Sequence, residues 1–225
     1  MPRTNSAKNF IIALLAIAIV VVLVIWWQFN ISRRINLENS LSQTILTQPV
    51  KLSPFQLIDS NGPTFTNQSL QGRWAFIYFG YTDCGEVCDK SMAALSQVYD
   101  QLKAQSQFVP LIIFVSVKSH QDTLPKIQQY ITRFNPNFLG LTADINTLKP
   151  LTHELGVQYV KLKSPGIGKD IDGEQLAHTG TVFLIDPAGK LHAIFSMPYT
   201  VADIISAYKT MVNPTAKPPV LTKNT

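Results

Sequence analysis

Residues 74–92 read WAFIYFGYTDCGEVCDKSM, and the change of pattern inside this stretch decides the fold. Trp74 to Phe79 is a short aromatic and aliphatic run with no charge, the signature of a strand buried on both faces. It delivers the chain directly to Cys84 and Cys88, the only 2 cysteines among 225 residues. From Val87 to Gln107 apolar side chains recur at Cys88, Met92, Leu95, Val98 or Tyr99, and Leu102, which is the spacing of one face of a helix. The cysteines therefore sit where a buried strand turns into a helix, the corner at which α/β sheets usually hold ligands.

Working outward, Phe55 to Leu57 and Pro63 to Phe65 flank Asn61-Gly62, a pair that tolerates the positive φ of a tight hairpin. On the other side, Val109 to Val117 reads as a second buried strand. Asp122-Thr123 then cap a helix that runs to Phe134, where Asn135-Pro136 stops it. Phe138 to Leu141 predicts a strand, Asp144 to Leu155 a helix closed by Gly156, and Val157 to Leu162 another extended piece. Lys163 to Ala177, rich in Gly, Pro and charge, reads as an exposed loop. Thr181 to Ile185 and Leu191 to Phe195 form a hairpin about Pro187-Ala-Gly189, and a last helix covers Val201 to Met211. The expected fold is an α/β, thioredoxin-like domain over residues 51–212, a mixed sheet flanked by helices, followed by a disordered tail at 213–225.

Residues 10–29, FIIALLAIAIVVVLVIWWQF, carry no charge, and at ~1.5 Å per residue they can span the ~30 Å hydrocarbon core of a bilayer. A cleavable signal peptide would have a shorter apolar region ending in small residues, whereas this one ends in Trp26, Trp27 and Phe29, rings that suit a membrane interface. The reading is an uncleaved transmembrane anchor, with 30–50 as a polar tether. The formal charge of +5 follows from this arrangement: Arg3, Lys8, Arg33 and Arg34 flank the apolar segment, leaving 15 of the 19 basic residues against 14 acidic ones. With the excess placed beside a membrane segment and not striped over the domain, nucleic acid is not an expected partner. The basic residues balance across the anchor, so charge alone leaves its orientation open.

Two cysteines four residues apart near the start of a helix share a face, with Cβ atoms about 5–6 Å apart. The partial positive charge of a helix N-terminus favours the thiolate, the form that binds metal and attacks disulfides. A disulfide is also within reach if the first turn distorts. The pair thus prepares copper binding, thiol redox chemistry or both, against the plainer alternative of a structural disulfide. A third ligand can come from four histidines. His192 alternates with Leu191 and Ala193 in an edge-like strand and reads as a surface residue, His153 sits near a helix end, and His120 lies in a loop after the second strand. His178 falls at the junction of the long loop with the strand 181–185, which in a thioredoxin-like frame faces the cysteines; it is the expected third ligand. Soft thiolates select Cu(I) and an added imidazole suits Cu(II), whereas a structural zinc would want a fourth protein ligand.

Three pieces, FQLIDSNGPTFTNQSLQGRWAFIYFGYTDCGEVC (55–88), GLTADINTLKPLTHELGVQY (140–159) and HTGTVFLIDPAGKL (178–191), together with the apolar N-terminal segment, resemble the Sco/SenC proteins. These are thioredoxin-fold copper proteins that assist assembly of cytochrome c oxidase. The resemblance implies Cys84, Cys88 and His178 as copper ligands and a domain on the periplasmic side of a bacterial inner membrane. Residues 1–9 would then be cytoplasmic. It also marks departures: Gly85 and Asp89 stand where proline follows each cysteine in most members, SVKSHQDT keeps Asp122 but has Lys118 for an acid, and Ala177 precedes the histidine in place of an acidic residue. The expected function is a copper metallochaperone whose client is the copper-site subunit of cytochrome c oxidase or another copper or thiol protein. The alternative is a thiol-disulfide oxidoreductase that keeps a partner's copper-binding cysteines reduced, with Cys84 and Cys88 as its redox pair.

Overall fold

A computed structural model describes residues 14–15, 17–28, 43–105, 108–157, 159–161, 174–176 and 180–212. The chain divides into two units, 1–41 and 42–225. In the first, residues 14–15 and 17–28 are helical, the latter stretch being α1. Among the described residues no helix is long and apolar enough to cross a membrane. Residues 10–13, 16 and 29 of the expected anchor, and the tail 213–225, lie outside the described residues.

The second unit is built on β4 (Ala75–Gly80) and β5 (Leu111–Ser116), which run parallel and pair residue for residue from Ala75 with Leu111 to Gly80 with Ser116. The other strands are β1 (Gln43–Lys51), β2 (Gln56–Asp59), β3 (Thr64–Thr66), β6 (Leu139–Thr142), β9 (Val182–Ile185) and β10 (Lys190–Phe195), giving the order β1-β10-β9-β4-β5-β6-β2-β3. β6 continues the parallel half beside β5, while β9, β10 and β1 add on antiparallel beyond β4. The helices are α2 (Glu86–Ala104), α3 (Leu124–Thr132), α4 (Ile145–Glu154) and α5 (Val201–Val212).

Both faces of the sheet are covered, which is why its central strands lack polar alternation. Ala75, Ile77 and Phe79 of β4 face a core with Leu148, Leu151 and Leu155 at α4 and the hairpin residues Leu57 and Phe65. Phe76 and Tyr78 face the other way, onto Met92, Leu95 and Val98 of α2, Ile127 and Ile131 of α3 and Ile204 and Tyr208 of α5. The hairpin expected at Asn61-Gly62 forms between β2 and β3, with Leu57 opposite Phe65 and Gly62 at φ 104°. At Gly140 a side chain is excluded by packing: a Cβ there would lie 2.4 Å from the Ile127 methyl of α3.

Three readings change. The stretch expected as tether overlaps β1, an outer strand bonded to β10 from Gln43 to Lys51, with a register break between Ile45 and Val50. It is held by backbone and has no alternating burial, so the two-residue period that reveals a strand is missing. For the same reason β10 is not at an edge: β1 covers it, and His192 is only partly exposed, its ring 5.2 Å from that of Trp74. The stretch read as the loop 163–177 contains a strand, β8 (Glu174–Leu176), which pairs with β7 (Tyr159–Lys161) in a separate two-stranded sheet.

Candidate metal and thiol site

β4 ends at Gly80, and α2 begins at Glu86 with Gly85 as its N-cap at φ 81°. That positive φ suits glycine, whereas a proline at this position would be held near φ −65°. Cys84 lies before the helix, its N–H donating to Tyr81 O at 3.1 Å, while Cys88 is inside the first turn. Their Cα atoms are 5.8 Å apart and their sulfurs are joined in a disulfide. Cys88 is buried and Cys84 half-buried, so an incoming thiol or metal meets Cys84 first.

Cys88 has room because Gly80 has no side chain. A Cβ at Gly80 would lie 3.1 Å from Cys88 Sγ, 2.9 Å from the Phe114 ring and 3.1 Å from the Tyr78 ring. Gly80→Ala is therefore expected to cost about 1–3 kcal/mol by overpacking. A urea unfolding midpoint equal to that of the unmodified chain would show that the strand end adapts to the added methyl.

The first turn of α2 carries Glu86 and Asp89, acids that would oppose a thiolate, but each has a partner directed elsewhere. Glu86 pairs with Lys90 at 2.6 Å, which lowers the Glu86 pKa, and Asp89 accepts from the Tyr130 hydroxyl at 3.0 Å with Arg133 at 3.7 Å. Burial, then the hydrogen bond to Asp89, pushes the Tyr130 hydroxyl pKa far up, so it stays a neutral donor.

The loop between β4 and Cys84 is gripped from the segment that follows β5. Thr82 donates to Asp122 twice, from its backbone N–H at 2.9 Å and its hydroxyl at 2.6 Å. Ser116 Oγ donates to the same carboxylate at 2.6 Å, and Lys126 Nζ is 3.4 Å away. Lys126 also donates to Asp83 at 2.8 Å, which raises the lysine's pKa. Lys118 Nζ lies 3.8 Å above the Tyr81 ring. Asp122 was expected as a helix cap beside Thr123; the N-cap is Thr123, without a side-chain bond, and the Asp122 carboxylate is spent on the cysteine loop.

Of the expected ligands, Cys84 and Cys88 are brought together and His178 lies outside the described residues. His192 belongs to the opposite end of the sheet: Val182, at the start of β9, pairs with Tyr78 near the cysteines, whereas Leu191 pairs with Ile185, which pairs with Ala75. His153 and His120 are exposed. Among the described residues no group of three or more His, Cys, Asp and Glu side chains could hold a metal ion.

A mixed sheet flanked by helices, with a cysteine pair at the corner between its central strand and the following helix, defines a thioredoxin-like α/β protein with a thiol site. The SCO1/SenC family model matches residues 44–213, and the chain belongs to that family. It is 29% identical over 156 residues to an SCO2-like protein of Rickettsia prowazekii, covering 69% of this chain and 74% of the relative. Arabidopsis thaliana ScoI, solved with copper bound, is similar at 25% identity and a TM-score of 0.64 over 72% of this chain and 97% of that one. BsSco, described as a member of the Sco family of cytochrome c oxidase assembly proteins with a disulfide switch, shares the fold at a TM-score of 0.58 and 22% identity, over 73% of this chain and 96% of its own.

Proposed function

We propose that this chain is a copper metallochaperone for cytochrome c oxidase assembly, anchored in a bacterial inner membrane through residues 10–29 with its domain facing the periplasm. The observation that carries the reading is the disulfide-linked cysteine pair after the end of β4, Cys84 half-buried and Cys88 buried, in a fold shared with a copper-bound ScoI. Copper here is cargo. As a disulfide the sulfurs offer poor ligands, so loading begins with reduction by an external dithiol: it gives up two electrons and two protons and becomes a disulfide, the Cys84–Cys88 bond opens to two thiols, and these lose their protons on binding the ion.

Two thiolates, one just before α2 and one in its first turn, fit Cu(I), and an imidazole from His178 extends the set to Cu(II). His178 precedes Val182 by four residues, which span at most about 14 Å, and Val182 pairs with Tyr78 near the cysteine loop. Delivery then proceeds by ligand exchange, the client's thiols replacing Cys84 before the buried Cys88.

A second reading, a thiol-disulfide oxidoreductase acting on a partner's copper-ligand cysteines, is favoured by the disulfide itself and the access to Cys84. In that role Cys84 thiolate attacks the partner's disulfide, and Cys88 then displaces the partner, which leaves as a dithiol while the Cys84–Cys88 bond forms. His178→Ala separates the two. For a chaperone it is expected to change the Cu(II) absorption and EPR spectra and to impair oxidase assembly in cells. A purely redox protein would tolerate it, and unchanged spectra together with normal assembly would refute His178 as ligand.

A further inference from the structure

Each of the three residues leading into Cys84 is held by one side chain from the β5–α3 segment, and the three holders are four residues apart. Lys118 covers the Tyr81 ring at 3.8 Å, Asp122 takes both donors of Thr82, and Lys126 bonds Asp83 at 2.8 Å. Asp122 is the central and least exposed of them, at 2%. An ionised carboxylate only accepts, and the groups bonded to it here donate: Thr82 N–H, Thr82 Oγ1, Ser116 Oγ and Lys126 Nζ. Such charge-assisted bonds are the stronger kind.

The grip falls where the cysteine pair needs it. Cys88 is fixed by α2 and by the core around Gly80, whereas Cys84 precedes the helix and is reached through a loop and a glycine at φ 81°. Closing a disulfide depends on the effective concentration of one sulfur beside the other, and that falls when one partner gains freedom. We propose that Asp122 is a positioning residue for the site: by fixing Thr82 it holds Cys84 within bonding reach of Cys88 and so sets the dithiol–disulfide equilibrium. The proposal deepens the copper and thiol reading above and rests on it only for the use made of the pair.

The test is copper-free. The full chain in detergent is equilibrated with glutathione buffers, and the dithiol fraction is read by alkylation. In the reaction the Cys84–Cys88 bond breaks, two glutathione thiols give up their hydrogens and electrons, and one glutathione disulfide forms. Asp122→Asn is expected to shift this equilibrium about tenfold toward the dithiol, a potential less negative by ~30 mV. Thr82→Val should shift it in the same direction by less, and Thr82→Ser, which keeps both donors, should stay within about twofold of the unmodified chain. Urea midpoints on the same samples separate positioning from stability: a lowered midpoint with an unchanged equilibrium overturns the proposal. If Asp122→Asn does not fold, Thr82→Val decides, because it leaves Asp122 the backbone N–H and the Ser116 hydroxyl; an unchanged equilibrium there overturns it equally. A chain that binds no copper yet shows the tenfold shift would sink the chaperone reading and leave Asp122's role standing.

Discussion

Replacing Cys84 by serine is expected to lower the affinity of the reduced chain for Cu(I) by more than the ~100-fold that altering an outer-shell partner costs. Cu(I) is a soft ion and binds thiolate in preference to hydroxyl. A serine hydroxyl also stays protonated at neutral pH, so the change removes both a soft donor and a negative charge. Cys84 is the cleaner of the two positions because it is half-buried and outside α2. Cys88→Ser removes the same kind of ligand but also places a hydroxyl in a buried apolar corner against Gly80, Phe114 and Tyr78, at about 1–3 kcal/mol if it finds no partner. Competition titration against a Cu(I) chelator, paired with urea unfolding of the same variants, measures both effects. Equal affinity in Cys84→Ser and the unmodified chain would remove Cys84 from the metal site.

Phe114→Ala is expected to reduce the unfolding free energy by about 3–5 kcal/mol, the largest stability effect foreseen for a single position. Phe114 is 0% exposed at the centre of β5, its ring 5.0 Å from that of Tyr130 and 6.4 Å from that of Tyr78. Truncation opens a cavity between the sheet and helices α2 and α3, whose backbones are held by other contacts and relax only in part. The same ring is one wall of the corner around Cys88 Sγ and Gly80, so the loss would reach the thiol site. Urea denaturation of the full chain in detergent measures the effect. A cost below about 1 kcal/mol would mean that the core around Phe114 is not close-packed.

The parts of the fold legible in the sequence were those whose burial leaves a period. Ala75 to Phe79 and Ile112 to Val117 are covered on both faces and sit inside unbroken apolar runs, and α2 shows its stripe from Cys88 to Leu102. The Asn61-Gly62 hairpin was legible because the turn demands a particular backbone. β1 was not, since an outer strand with a register break contributes hydrogen bonds and little side-chain burial. The same gap misplaced His192, whose neighbour Leu191 pairs with Val50 of β1, a strand far away in the chain.

At the site, spacing alone brought Cys84 and Cys88 together. Asp122 could not be assigned that way, because Asp before Thr is equally good as a helix cap and as a ligand for a distant loop, and only the tertiary fold puts Thr82 within 2.6 Å of it. Gly85 and Lys118 have physical contexts of their own, a positive-φ N-cap and a cation over the Tyr81 ring.

We propose that the Cys84–Cys88 pair of this SCO1/SenC protein holds copper as cargo once it is reduced. The most direct test is an anaerobic Cu(I) competition titration of the full chain, run on the reduced dithiol and on the disulfide form in parallel. One tightly bound Cu(I) per reduced chain is expected, and none held tightly by the oxidised chain. Equal binding by both forms, or no tight binding by the reduced one, would contradict it.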